Sequence, residues 1–171
     1  MRPRTLWIAL LFFSLTAGQG GRAASAPIDS EAAFARLKVL AGEWESTGAG
    51  EHARLSLELV AGGTALLERE TGAGHPTMLT LYHRDGDRLL LTHYCMAGNQ
   101  PRMAAQSYEA EQGEIAFEFV DGTNMPSPAA GHMHAVRIRL VDPNHLETVW
   151  SFYQNGKPAM TERTQYVKVK S

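Results

Sequence analysis

The chain has 171 residues, of which 44% are hydrophobic, and a single cysteine. This length and composition are typical of one globular domain. A net charge of −2 argues against nucleic acid as a partner, and one cysteine excludes an internal disulfide. Stability must therefore come from a hydrophobic core.

The first residues have the three-part pattern of a secretory signal peptide. A basic start with Arg2 and Arg4 precedes an apolar run over residues 6–16, and small residues follow up to Ala26. We expect cleavage near residue 26, which leaves residues 27–171 as an exported domain, periplasmic or secreted. The apolar run is shorter than the ~20 residues of a membrane span, so we expect no membrane anchor after cleavage. An uncleaved N-terminal anchor is the alternative.

The next elements are a short helix and a long series of strands. Apolar residues at helical spacing follow Ser30, which we predict to be the N-cap of a helix over residues 30–40 that Gly42 ends. From Trp44 onward the apolar residues alternate with polar ones, as in strands that bury one face. Strong hairpin turns are indicated at residues 85–86 and 155–156.

These strands follow one another with short links and no intervening helix. The predicted fold is all-β: an antiparallel up-and-down β-barrel of about ten strands with a short N-terminal helix. A sandwich needs longer crossing links, and a closed barrel has no exposed sheet edge. The longest link, over residues 121–131, is a candidate lid or mouth segment.

Residues 40–44, Leu-Ala-Gly-Glu-Trp, resemble the Gly-x-Trp entry of the calycin superfamily, to which the lipocalins belong. In that superfamily a short helix precedes the first barrel strand, and the tryptophan closes one end of the barrel. The ten-stranded nitrobindin-like barrels are the most similar calycins, and the resemblance covers residues 34–168. It implies a small apolar ligand in the lumen and a cation–π contact of Arg163, in the last strand, with Trp44.

Haem-binding members of the nitrobindin-like group use a histidine from late in the barrel as the axial ligand. The last histidine of this chain is His145, and the predicted closing strand, over residues 160–169, has none. The chain departs here from the family's pattern. Haem therefore stays an alternative ligand and not the expected one.

Two pairs of polar side chains occupy alternate positions of predicted strands. His93 and Cys95 form one pair, and His132 and His134 form the other, each in phase with the apolar residues of its strand. We expect both pairs to face the lumen and to meet there, with residues 98–102 and 121–131 at its entrance. The opposite face of the first strand is also apolar, so Leu90 and its alternate neighbours are the other candidates for the lumen side.

Several chemical roles are open for these residues. Zinc or copper could bind histidines at this spacing, and Cys95 could act as a nucleophile with His93 as its base. The competing interpretation is hydrogen-bonded interior histidines and an unreactive, buried thiol. Arg102 is either a ligand for a carboxylate group or a solvated residue, and Trp150 is either a wall of the lumen or part of the core.

Three classes of function compete. No paired carboxylates, triad spacing or phosphate-binding loop is present in the sequence. We therefore favour a barrel that binds a small hydrophobic molecule over a haem- or metal-dependent enzyme and over a structural barrel without a ligand. The expected ligand-binding residues are His93, Cys95, Arg102, His132, His134 and Trp150.

Overall fold

The structure is a computed structural model that describes residues 28–48, 52–72 and 74–170. The predicted signal peptide and its cleavage site lie outside these residues. Over the ranges described, no helix has the length and apolar character needed to cross a membrane.

One α-helix and ten strands make up the regular structure of the described ranges. They are α1 (Ser30–Lys38), β1 (Gly42–Ser46), β2 (Ala53–Val60), β3 (Ala65–Gly72), β4 (Met78–Asp85), β5 (Arg88–Tyr94), β6 (Gln100–Glu109), β7 (Glu114–Thr123), β8 (His132–Asp142), β9 (His145–Gln154) and β10 (Lys157–Lys168). Each strand pairs with the next, and β1 pairs antiparallel with β10, which closes the barrel. The predicted all-β, ten-stranded barrel with a short N-terminal helix is confirmed.

The ends of α1 differ from the sequence-based prediction. Asp29, and not Ser30, is the N-cap, because the Asp29 carboxylate accepts a hydrogen bond of 2.9 Å from the backbone N–H of Ala32. The last helical residue is Lys38. Gly42 therefore does not end the helix; it begins β1, with a φ of 131° that favours glycine.

The helix covers one end of the barrel, which we call the closed end. Phe34 and Leu37 are buried in the core. Arg36 donates a hydrogen bond of 3.1 Å to the carbonyl oxygen of Leu140. Ser30 donates a hydrogen bond of 3.4 Å to the carbonyl oxygen of Gly86, in the link after β4. These contacts hold α1 over the ends of β4 and β8. The opposite end, which we call the open end, carries the links after β3, β5, β7 and β9.

Trp44 packs inside the barrel and donates its Nε1–H to the carbonyl oxygen of Leu40 at 2.8 Å. The cation beside its ring is Lys168, whose Nζ lies 5.2 Å from the ring centroid. The expected contact with Arg163 was wrong. Lys168 is the register partner of Trp44 on β10. Arg163 lies five positions before Lys168, so its side chain is on the opposite, outer face of the strand. There its guanidinium nitrogen lies 2.7 Å from a carboxylate oxygen of Glu147.

The lumen near the closed end is filled by large buried side chains from the inward faces of the strands. They include Leu55, Leu57, Leu66, Tyr82, Leu89, Leu91, Met103, Ile115, Phe117, Val136, Ile138, Leu140 and Leu146. The space that remains in the barrel therefore lies toward the open end.

Candidate ligand-binding site

A cavity of about 100 Å³ lies in the lumen toward the open end, and we call it the lumen pocket. Its apolar lining consists of Met78, Met96, Met133, Met160 and Trp150. Its polar lining consists of Glu70, His75, His93, Glu162, Thr164 and Tyr166. The arrangement combines adaptable apolar side chains with a few converging polar groups, as small-molecule sites do.

His93 reaches the lumen pocket because β5 turns its Leu89 face inward. Leu89, Leu91 and His93 are buried, with His93 only 2% exposed, whereas Tyr94 on the other face is 49% exposed. The predicted inward phase of His93 is thus the one that the strand adopts, and the alternative, with Leu90 inward, was wrong. The His93 ring also packs against Trp150, with 4.9 Å between the ring centroids.

A row of polar side chains runs from His93 across three neighbouring strands. Glu68 on β3 is the register partner of Thr80 on β4, and Thr80 is the register partner of His93 on β5. Thr80 Oγ1 lies 3.0 Å from His93 Nδ1 and also hydrogen-bonds to the Glu68 carboxylate. Tyr82 donates its hydroxyl to Glu68 at 3.0 Å. The row therefore links the pocket histidine to a buried carboxyl group.

Burial shifts the pKa values of Glu68 and His93, the groups at the two ends of this row. Burial, followed by the charge of Glu70, raises the pKa of Glu68 to about 7. Burial lowers the pKa of His93 to about 4, so the imidazole is neutral at neutral pH.

The hydrogen-bond directions follow from the number of protons in the row. A threonine hydroxyl has one hydrogen. When Glu68 is ionised, Thr80 donates that hydrogen to it and accepts the Nδ1–H of His93. His93 Nε2 then carries a bare lone pair, and it has no hydrogen-bond partner among the described residues. Because Nδ1 faces Thr80, which does not line the pocket, Nε2 is the ring nitrogen left without a partner among the described residues, and the atom itself is buried.

The other ionisable groups of the pocket are mainly acidic. Glu70 lies 3.5 Å from His75 Nε2, and burial raises the pKa of Glu70 against the opposing effect of His75. Burial also raises the pKa of Tyr166 well above its usual range, so its hydroxyl stays protonated. No lysine or arginine of the described chain lines the pocket. The site therefore favours a hydrogen-bond donor or a cation over an anion.

His132 and His134 are brought together, but away from the lumen pocket. Their rings lie 3.0 Å apart between Nε2 of His132 and Nδ1 of His134, and His134 stacks on Tyr153 with 3.9 Å between centroids. The register of β8 with β9 shifts between Met133 and Ala135, so His134 is the extra residue of a β-bulge. The bulge changes the phase of the strand, and Met133 lines the pocket in place of the histidines.

Cys95 and Arg102 also lie outside the lining. Cys95 is half-buried, its Sγ accepts a hydrogen bond from the backbone N–H of Ala97, and burial raises the pKa of its thiol. Arg102 is exposed and pairs with Asp121 on the outer surface. Of the expected ligand-binding residues, His93 and Trp150 therefore line the lumen pocket. Among the described residues, no group of three His, Cys, Asp or Glu side chains is placed to hold a metal ion.

Two links at the open end approach each other, but neither of the segments expected at the entrance, residues 98–102 and 121–131, lines the pocket. Asn99 donates its side-chain amide to the carbonyl oxygen of Gly131 at 2.7 Å, which joins the links after β5 and β7. The links that contribute side chains to the pocket are those after β3 and β5, through His75 and Met96.

Sequence reasoning missed Glu68, Glu70, Tyr166 and the methionines. Glu68 and Glu70 occupy alternate positions in phase with the buried Leu66, and that phase was the available signal. It was ambiguous, because the adjacent Leu67 makes the other face equally apolar. The methionines come from three separate strands and one link, and they share no local pattern.

No protein-family model matches the chain, and no curated protein matches it. Among solved structures, the crystal structure of Rv2717c from M. tuberculosis is similar, with a TM-score of 0.56 and 17% sequence identity. The match covers 81% of this chain and 98% of that chain. At this identity the similarity shows a common barrel fold.

Proposed function

We propose that this chain is an exported binding protein that holds a small, largely apolar ligand in the lumen pocket. The observation that carries the proposal is the unpartnered Nε2 of His93, which is buried beside methionines and Trp150. The ligand presents a hydrogen-bond donor to this nitrogen. Its apolar part contacts the methionine side chains and the indole.

Energetics support a ligand at this position. A buried acceptor without a partner costs about 1–3 kcal/mol, and a donor on the ligand recovers part of that cost. The methionine side chains are unbranched and adapt to ligands of different shape. The neutral state of His93 suits an uncharged donor, because the imidazole at neutral pH offers a lone pair and no charge.

The size of the pocket limits the ligand. Its volume of about 100 Å³ compares with the ~150 Å³ of an engineered apolar cavity that binds benzene, and with ~300–1,000 Å³ for sites of drug-sized ligands. The expected ligand is thus a molecule of about one ring, or the end of a longer molecule that projects through the open end. Haem would project well beyond a pocket of about 100 Å³ and is not the expected ligand.

Membership of the calycins, close to the nitrobindin-like barrels, and export are parts of the same proposal. The Gly42-Glu43-Trp44 segment after a short helix and the closed ten-stranded barrel support the first part. The basic, apolar and small-residue segments of residues 1–26 support the second. Mass spectrometry of protein from its native host tests export, and an intact Met1 would contradict it.

Phenol and toluene test the ligand chemistry, since they match in size and differ in one hydroxyl donor. Calorimetric titrations at pH 8 are expected to show tighter binding of phenol. One net hydrogen bond of about 1 kcal/mol corresponds to a preference of about fivefold. In His93→Leu this preference is expected to disappear, because the acceptor is gone.

The matched control is His134→Leu, which removes an imidazole that does not line the pocket. It is expected to retain the preference for phenol, and thermal melts establish that both variants are folded. Equal affinity for phenol and toluene in the unmodified protein would contradict the role of His93. Failure of both molecules to bind would contradict the proposed site.

A further inference from the structure

Methionines are concentrated at the lumen pocket. The sequence has seven methionines, and four of them line this one cavity. Met78 belongs to β4, Met96 to the link after β5, Met133 to β8 and Met160 to β10, so the four residues come from different sides of the barrel. Met78 is buried, whereas Met96 and Met160 are partly exposed at the mouth of the pocket. A pocket wall that only needed to be apolar would more often use leucine, isoleucine, valine or phenylalanine. Methionine adds a soft sulfur donor.

A nitrogen donor is present in the same pocket. His93 is 2% exposed, and its Nε2 has no partner among the described residues. Its Nδ1 contacts Thr80, which bonds in turn to the Glu68 carboxylate. Histidines that bind metals usually donate their other ring N–H to a carboxylate, a carbonyl oxygen or water, which fixes the tautomer and the ring orientation. The Glu68–Thr80 pair supplies the same orientation through a hydroxyl group.

The charge of the lining favours a cation. Glu70 and Glu162 line the pocket, and within the described ranges no lysine or arginine does. Thioether sulfur is a soft ligand that selects Cu(I), whereas zinc prefers thiolate, imidazole and carboxylate, and calcium and magnesium prefer oxygen. Methionines with one imidazole therefore match Cu(I) best.

We propose that the lumen pocket is a Cu(I) site in which His93 Nε2 and methionine sulfurs are the ligands. Thr80 and Glu68 are positioning residues that hold the imidazole. The Cu(I) site is a second binding activity beside that for a small organic molecule. It rests on the proposed function only in that the metal and the organic ligand share the lumen pocket.

The test is a titration of the full chain with Cu(I), under anaerobic conditions with ascorbate, against the chelator bicinchoninate. One Cu(I) per chain is expected, and X-ray absorption is expected to show both sulfur and imidazole scattering. The double variant Met133→Leu/Met160→Leu and the variant His93→Gln are each expected to weaken binding at least about tenfold. Leucine keeps approximately the apolar volume of methionine, so the double variant is expected to stay folded.

Two substitutions distinguish a role of Thr80 in copper binding from a purely structural role. Thr80→Val removes the hydroxyl that holds Nδ1 and is expected to weaken Cu(I) binding by about 10–100-fold. Thr80→Ser keeps the hydroxyl and is expected to restore affinity. Equal Cu(I) affinities of the two variants would show that Thr80 does not position His93.

Two controls exclude other sulfur donors. Cys95→Ser removes the thiol and Met125→Leu removes a methionine that lines a groove outside the pocket; both variants are expected to bind Cu(I) as the unmodified chain does. Loss of binding in Cys95→Ser, or absorption spectra without imidazole, would overturn the proposal. Phenol titration of the copper-free protein separates the two proposals: phenol binding without Cu(I) binding rejects the metal site alone, and Cu(I) binding without phenol binding rejects the small-molecule site alone.

Discussion

Replacement of Glu68 by glutamine should stabilise the protein at high pH and have little effect at low pH. The Glu68 side chain is 6% exposed, and its pKa is raised from 4.5 to about 7, chiefly by burial. Glutamine has nearly the same shape and keeps an oxygen that accepts the hydrogen bond of Tyr82. The substitution therefore removes the buried charge without removing this contact.

The direction of this pH dependence follows from the protons that the folded and unfolded states bind. Between pH 4.5 and about pH 7 the folded state holds the Glu68 proton while the unfolded state has lost it, so the stability contributed by this group falls as pH rises through that window and is constant above it. A shift from 4.5 to about 7, at ~1.4 kcal/mol per pH unit, gives an upper value of about 3 kcal/mol. Glu68→Gln is expected to gain up to this amount at pH 8.5 and almost none at pH 4.5.

Urea unfolding of both proteins across this pH range measures the difference directly. His93 is present in both, so its titration largely cancels in the comparison. Glu58→Gln, at an exposed position of β2, is the control and should show no comparable gain. A difference between Glu68→Gln and the unmodified protein that stays constant with pH, or that shrinks as pH rises, would refute the assignment of a buried, weakly acidic Glu68.

Two further predictions concern the closed end. Trp44→Ala should lower the free energy of unfolding by about 3–5 kcal/mol in urea titrations, because it empties a fully buried site; a loss below about 1 kcal/mol would show that the core does not depend on this ring. Double-mutant cycles with Trp44→Leu should give a coupling of about 0.5–1 kcal/mol for Lys168→Met and none for Arg163→Met. The reverse order of the two couplings would favour the arginine contact that the calycin resemblance implies.

The fold could be predicted because apolar and polar residues alternate along strands that bury one face, and this alternation is visible in the sequence. Alternation in β2, where Leu55 and Leu57 are buried and Arg54 and Glu58 are exposed, repeats along the chain with short links. Those features favour a meander, and a meander of this length closes most simply as a barrel. The inward position of His93 was predicted from the same alternation, although both faces of β5 were apolar enough to allow the opposite choice.

The candidate site was less predictable because two of its determinants are not local. A single extra residue at His134 reverses the phase at the start of β8, and no turn residue marks that bulge in the sequence. The methionines of the pocket converge only after the barrel closes. The burial of Glu68 was missed because acidic residues are rarely buried without partners, and its partners Thr80 and Tyr82 come from the next strand.

The most direct test of the lumen pocket is ¹⁵N NMR of the histidine side chains at pH 8.5, where Glu68 is ionised. The row from Glu68 through Thr80 predicts a neutral His93 with hydrogen on Nδ1 and none on Nε2. Addition of phenol should shift the His93 Nε2 resonance and leave the resonances of His132 and His134 unchanged. A His93 tautomer with hydrogen on Nε2, or a phenol-induced shift at His132 and His134 in place of His93, would contradict the account.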